Sequence, residues 1–370
     1  GYDSFEETMA RYDGSPIEYG NSGTFMLYSS GTTGRPKGIV WELADIPVGE
    51  MDPNLETGMA LFQITEESTY LSTQPLYHSA PAAFALSCLQ VGATVVVIEK
   101  YRATHSQWVP TMFVRILKLP EDKRLKYDLS SMKVIIHAAA PCPLDVKEQL
   151  IEWLGPVLYE FWGGTETAIV TFITSQEWLE HRGSVGRGVT ATLHILDEEG
   201  NELPPGEPGV IYMEGGRQYS YFKEPEKTAS SRNKDGWTNI GDIGYLDEDS
   251  YLYLTDRKSF MIISGGVNIY PQETEDTLIM HPKVADVAVI GVPNEEFGEE
   301  VKAVVQPMNM AEAGPELARE LIDYARSKVS HIKCPRTVDF MEELPRTPSG
   351  KLLKRLVAEK YWDQKAPSGS

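Results

Sequence analysis

KVIIHAAAPCPLDVKEQLIEWLGPVLYEFWGG, residues 133–164, reads as strand, turn, helix, strand. KVIIHAAA (133–140) and PVLYEFWGG (156–164) are apolar runs that each end in small or turn residues. Between them, VKEQLIEWL (146–154) carries its apolar residues at helical spacing. This alternation predicts an α/β domain with a largely parallel sheet.

The surrounding sequence extends the pattern. TFMLYSS (24–30) reads as a buried strand entering a Gly/Thr loop. TVVVIE (94–99) is a continuous β-branched run, as a strand covered on both faces should be. SQWVPTMF (106–113) reads as a further strand. Only about six residues separate the last two, whereas a parallel crossover between neighbours needs roughly a dozen. Either they form a hairpin or a helix that belongs between them is absent.

From about residue 186 the texture changes to short strands and turns such as DEEGNELPPGEPG (197–209), which suggests an antiparallel or barrel-like subdomain. After DRKSF (256–260) a third pattern predicts a compact α+β unit. Its helices fall at about 272–280, 315–329 and 351–361, and its strands at 284–292, 300–306 and 336–342. A domain boundary is expected near 257–260, and the tail QKAPSGS reads as disordered.

Composition narrows the class. The chain has 370 residues, 41% hydrophobic and 24% charged, enough for two or three domains without disulfide staples. Three cysteines far apart in sequence fit a reducing, cytoplasmic setting. No apolar run is long enough to span a membrane. A formal net charge of −20 disfavours nucleic acid as the main partner, while leaving room for a local anion site.

Four stretches carry chemistry. In YSSGTTGRPKG (28–38), Gly31 and Gly34 permit close backbone approach. The hydroxyls of Ser29, Ser30, Thr32 and Thr33, with Arg35 and Lys37, could cradle an anion. The spacing is not that of a Walker A loop, and a polar surface loop is the plain alternative. In FWGGTETA (161–168), Phe161 and Trp162 offer stacking faces, Gly163 and Gly164 close approach, Thr165 a hydroxyl, and Glu166 a carboxylate suited to Mg²⁺. A strand end followed by a turn reads the same way. Asp242 in IGD and Arg257 in TDRK could bind ribose or phosphate, although such a turn is more often a capped hairpin. In PRTPSGK (345–351), proline and glycine present Lys351 at a loop tip, where a lone lysine is usually just solvated.

Taken together and in order, these stretches resemble the motif set of the adenylate-forming superfamily, on its acyl-CoA synthetase branch. The resemblance covers residues 20–362. It implies an α/β fold with a large N-terminal domain (1–257), whose β-rich part at about 186–257 is a distorted barrel, and a mobile C-terminal lid (258–370). The first stretch is similar to the phosphate loop, which would hold the ATP phosphates. WGGTE resembles the adenine and Mg²⁺ motif, and HAAAPCP (137–143), with Ala139, Ala140 and Pro141, the loop flanking adenine. PLYHSAP (75–81) resembles the acyl-pocket segment, with His78, Gly164 and Thr167 at its wall. ISGGVNIY, with Ser264, Gly265 and Gly266, resembles the stretch that reaches the thiolation tunnel, and Lys258 and Ser259 fall at the hinge.

The implied chemistry has two halves. A carboxylate attacks ATP to give acyl-AMP and pyrophosphate. After domain rotation, coenzyme A attacks the anhydride. Lys351, Thr165, the loop hydroxyls and Mg²⁺ on Glu166 would stabilise the charge. Small apolar wall segments suit a fatty, aromatic or terpenoid acid, and a homodimer is compatible with the sequence.

The chain also departs from the pattern. A further α/β unit before the phosphate loop and a helix near residues 99–104 are missing, which suggests a piece of a longer protein. Phe260 stands three residues after Arg257, where the family has an acid, and Trp162 stands where tyrosine is usual. These departures keep open a ligase that uses only preformed acyl-adenylate.

Overall fold

The computed structural model describes residues 7, 9–11, 20, 23, 26–29, 37–43, 45–47, 50–73, 76, 79–96, 102–257, 260–346 and 352–362. Strands β1 (Leu27–Ser29) and β2 (Lys37–Trp41) pair antiparallel, with Ser29 opposite Lys37. The Gly/Thr loop thus joins the ends of a hairpin. Strand β12 (Tyr219–Tyr221) pairs with the other side of β2, and Ile39, Trp41, Tyr219 and Tyr221 pack together.

The central sheet holds β3 (Thr69–Ser72), β4 (Thr94–Val96), β5 (His105–Trp108), β6 (Val134–His137), β7 (Leu158–Gly164), β8 (Ala168–Ile173) and β9 (Arg187–Gly188), in spatial order β4-β3-β5-β6-β7-β8-β9. The first five in that order run parallel, β8 pairs antiparallel with β7, and β9 antiparallel with β8. One face is covered by helices Pro53–Leu61 and Ser79–Gln90, through Met59, Phe84, Tyr70 and Ile136. The other is covered by helix Leu144–Leu154, through Val146, Leu150, Ile135 and Leu158. Double coverage explains why all four residues of β6 are buried apolar groups or histidine.

Two expectations change here. The strand expected over 106–113 ends at Trp108, and Pro110 opens a helix, Pro110–Leu117. Proline suits the first helical turn, and Val109 before it is extended, as a residue preceding proline must be. The hairpin alternative for β4 and β5 also fails, because both run parallel to β3 on its opposite sides.

Strands β10 (Ala191–Leu196), β11 (Gly209–Gly215), β13 (Asp242–Leu246) and β14 (Leu252–Arg257) form a four-stranded antiparallel sheet. Among the described residues it is open, not the distorted barrel expected. Its core contains Leu193, Ile195, Ile211, Met213 and Leu252, and takes in Trp162 from β7.

The remaining sheet comprises β15 (Ile262–Ser264), β16 (Val267–Ile269), β17 (Val284–Asn294), β18 (Gly298–Pro307) and β19 (Thr337–Phe340). Helices Gln272–Ile279 and Pro315–Arg326 supply one of its cores, and helix Lys354–Trp362 packs on a second. This α+β unit meets the rest of the chain at Ile279 and Met280, which pack against the cluster containing Phe113 and Tyr251. Lys118 Nζ donates to the Ile279 carbonyl at 2.8 Å and also to the Val284 carbonyl. Among the described residues no helix is long and apolar enough to cross a membrane.

Candidate active site

Five parallel strands bring their carboxyl ends to one edge, the place where open α/β sheets receive ligands. Two of the segments singled out in the sequence leave β6 and β7 there. After β6, Ala139 adopts φ +76°, a left-handed conformation that alanine rarely takes, and Ala139 and Ala140 are exposed. Pro141 follows, half-buried. Local strain of this kind, of order 1–3 kcal/mol, is tolerated where a loop serves a site.

After β7 the chain reverses tightly into β8. The Gly164 amide donates to Thr167 Oγ1 at 3.1 Å, and the Thr167 amide returns a bond to the Gly164 carbonyl. Thr167 is buried and its hydroxyl is engaged in this turn. Gly163 sits at a register shift, and a Cβ there would lie 1.8 Å from the Ala168 carbonyl oxygen. The partner strand therefore already demands glycine at 163.

Phe161 and Trp162 point to opposite faces of β7, as neighbouring strand residues do. Phe161 packs toward Phe62 and Phe84, at ring separations of 6.0 and 6.2 Å. Trp162 is buried in the core of the four-stranded sheet, and its indole N–H donates to Asp242 Oδ2 at 2.8 Å. The two rings therefore do not form one stacking platform. Instead, Trp162 fixes the carboxylate assigned to ribose. Asp242 is itself buried and lies opposite Arg257 in the β13–β14 register.

Glu166 is held from the β1–β2–β12 sheet. Tyr221 Oη donates to its Oε1 at 3.2 Å, and the Trp41 indole donates to its carbonyl at 3.1 Å. Lys37 Nζ lies 5.8 Å from the Tyr221 ring centroid. Burial, then the neighbouring Lys227, pushes the Lys37 ammonium down to about 8. Thr165 occupies the same turn as Glu166. Motif reading missed Tyr221, Trp41 and Lys227. The alternating aromatics of YSYF (219–222) were their available signal, since alternation puts Tyr219 and Tyr221 on one face.

Beneath this edge lies a buried charge cluster, also missed. Lys147 Nζ contacts Glu160 Oε2 at 2.5 Å, and His137 Nε2 stands 3.6 Å from the same oxygen. Burial, then the Lys147 charge, drives the His137 pKa well below its usual value. Burial raises the half-buried Cys142 thiol well above the ordinary range.

In the α+β unit, Gly265 and Gly266 form the two-residue turn between β15 and β16, with φ of +59° and +82°. Both values suit the tight hairpin turn that glycine favours. Ser264 is buried beside this turn, which projects with Ile263 and Val267 exposed on either side. Phe260 lies 4.8 Å below the Lys354 ammonium, which pairs with Glu275 at 3.0 Å. The aromatic in place of an acid thus meets a cation through its ring face. Ser30, Gly31, Thr32, Thr33, Gly34, His78, Lys258, Ser259 and Lys351 lie outside the described residues, as do the side chains of Ser29 and Arg257.

The site therefore combines a carboxylate and lysine beside a hairpin loop, a buried aspartate held by tryptophan, and a strained loop at the sheet edge. This chain belongs to the AMP-binding enzyme family, within the adenylate-forming superfamily. The family model "AMP-binding enzyme" matches residues 8–220, and "AMP-binding enzyme C-terminal domain" matches residues 273–351. A long-chain-fatty-acid–CoA ligase of Bacillus subtilis is 34% identical over 352 residues, covering 90% of this chain and 61% of that protein. A feruloyl-CoA synthase of an Amycolatopsis species is 32% identical over 354 residues, covering 91% and 69%. The structure of o-succinylbenzoate CoA synthetase from Bacillus subtilis with its acyl-adenylate superposes with a TM-score of 0.75 at 29% identity, over 90% of this chain and 68% of that one. The chain spans 61–64% of the length of the first curated relatives it matches.

Proposed function

We propose that this chain carries the activity of an AMP-forming acyl-CoA ligase, with residues 1–257 as the adenylate-binding domain and 258–370 as its lid. The observation that carries the reading is the meeting of Glu166, Tyr221 and Lys37 at one end of β7, two strand residues from the Trp162–Asp242 pair. That arrangement offers cationic and hydroxyl groups for phosphates next to a fixed acceptor for a sugar hydroxyl.

In this reading Asp242 accepts from ribose, Arg257 donates to ribose or phosphate, and the 139–141 loop borders the base. The Gly/Thr loop and Lys37 hold the β- and γ-phosphates. The substrate carboxylate attacks the α-phosphorus, the bond to the bridging oxygen breaks, and pyrophosphate leaves. Thr165 and Lys351 stabilise the negative charge that develops on the phosphoryl oxygens. In the second step the CoA sulfur attacks the acyl carbonyl and AMP leaves, with the Gly265–Gly266 turn delivered to the site and Lys351 withdrawn. Lys258 and Ser259 would bear the rotation.

Among the described residues no cluster of three metal-ligating side chains exists. A lone Glu166 carboxylate among hydroxyls fits Mg²⁺, which keeps waters and phosphate oxygens as its other ligands. When bound there, the ion would supply charge neutralisation for the phosphates. The apolar wall sequences support a fatty, aromatic or terpenoid acid, with His78, Gly164 and Thr167 at the pocket.

The test is carboxylate-dependent exchange of pyrophosphate into ATP, across acids from acetate to bulky terpenoids. Exchange with one class of apolar acids is expected. No exchange, with acyl-AMP and CoA still giving acyl-CoA, would overturn the adenylation half.

A further inference from the structure

We propose that Lys227 is a second binding residue for the pyrophosphate portion of ATP, paired with Lys37 beside the Tyr221 ring. The proposal rests on the adenylate-forming reading of this site. It names a residue that none of the sequence motifs contains.

Lys227 lies on the short helix Pro225–Ser230, which follows β12. Its Nζ stands 4.7 Å from the Tyr221 ring centroid, and Lys37 Nζ stands 5.8 Å from the same centroid. Both amines thus gather about one aromatic ring. Tyr221 links them to the nucleotide edge, because its hydroxyl donates to Glu166. Two ammonium groups gathered at one half-buried ring repel each other. Glu224, whose Oε2 lies 3.7 Å from Lys227 Nζ, offsets part of that charge without separating the pair.

The fold nevertheless brings both amines to the Tyr221 ring. Register places Lys37 at the start of β2, and the pairing of Tyr221 with Ile39 brings the β12 end, and so Lys227, alongside. A multiply charged anion between them would turn this repulsion into two charge-assisted contacts. Burial, then Lys227, lowers the Lys37 ammonium to about 8, the direction expected where two amines share one ring. Pyrophosphate, or the same two phosphates in ATP, has the charge and the span to bridge two amines.

The test uses the full chain, Lys227→Met and Lys227→Arg. Magnesium pyrophosphate and AMP are each titrated calorimetrically, and KM is measured for ATP and for the carboxylate. Lys227→Met is expected to weaken pyrophosphate binding and raise the KM for ATP about tenfold, leaving AMP binding and the carboxylate KM unchanged. Arginine should recover most of the loss. Pyrophosphate binding within twofold of wild type, or equal weakening for pyrophosphate and AMP, would overturn the proposal and leave Lys227 as packing on Tyr221. A wild-type chain that binds AMP but not pyrophosphate would also overturn it, with the nucleotide reading intact. A chain that binds neither would remove that reading and the proposal together.

Discussion

The indole N–H of Trp162 donates to Asp242 Oδ2 at 2.8 Å in a buried setting, joining the end of β7 to the start of β13. Phenylalanine at 162 would keep most of the packing and remove the donor. Trp162→Phe is expected to cost roughly 1–3 kcal/mol in urea unfolding and to weaken AMP binding several-fold. Lost stability with unchanged AMP affinity would confine Trp162 to packing.

Gly163 and Gly164 adjoin in sequence but are constrained differently. A Cβ at 163 meets a backbone oxygen at 1.8 Å, whereas one at 164 meets the movable Glu166 Oε2 at 3.1 Å. Gly163→Ala should therefore lose more than about 3 kcal/mol or fail to fold, and Gly164→Ala should lose under about 1 kcal/mol. Equal melting temperatures for the two variants would contradict the β7–β8 geometry.

His137 carries a pH prediction. Its folded pKa lies well below the ordinary value of 6.5, so below that pH the unfolded chain takes up a proton that the folded chain refuses. Its contribution is complete above 6.5 and declines as pH falls toward the folded value. His137→Leu should flatten that decline in urea titrations run at successive pH values. A residual slope is expected from His105 and His281, which burial also lowers. An unaltered slope would show that His137 titrates normally.

In the proposed mechanism Lys351 separates the two half-reactions. Lys351→Ala is expected to slow acyl-AMP formation by at least about 10²-fold, the scale of one lost transition-state contact. Thioester formation from supplied acyl-AMP should be spared. Equal loss in both halves would remove the lysine from its assigned step.

Lys118 holds two backbone carbonyls of the α+β unit, and burial lowers its ammonium to about 8. Lys118→Met keeps the stem and deletes both bonds. Limited proteolysis near residues 258–260 should then quicken by about tenfold. An unchanged cleavage rate would show that apolar packing alone seats the unit.

Much of the fold was legible because periodicity records burial. The run 133–164 showed its strands and helix, since both faces of β6 are covered and one stripe of helix Leu144–Leu154 is buried. Residues 106–113 misled because an apolar run does not distinguish strand from helix, and Pro110 was the overlooked stop. Candidate site residues stood out in the sequence where loops carry unusual chemistry, as at Glu166 and Asp242. Partners supplied by distant strands were not. Tyr221 reaches Glu166 across 55 residues and Trp162 reaches Asp242 across 80, and local spacing does not encode such pairs. Adjacent aromatics suggested a shared platform at Phe161 and Trp162, where strand alternation sends one ring to each side.

The Lys118 bridge bears on how such chains diversify. Its acceptors are main-chain carbonyls, which every amino acid except through gross distortion presents alike. The body of the protein therefore recognises the path of the C-terminal segment at this point and not its side chains. C-terminal halves exchanged between relatives should find the same anchorage despite sequence drift, while exchange of residue 118 should not be tolerated as freely. Chimeras joined ahead of residue 260 would inherit their seating from the N-terminal parent.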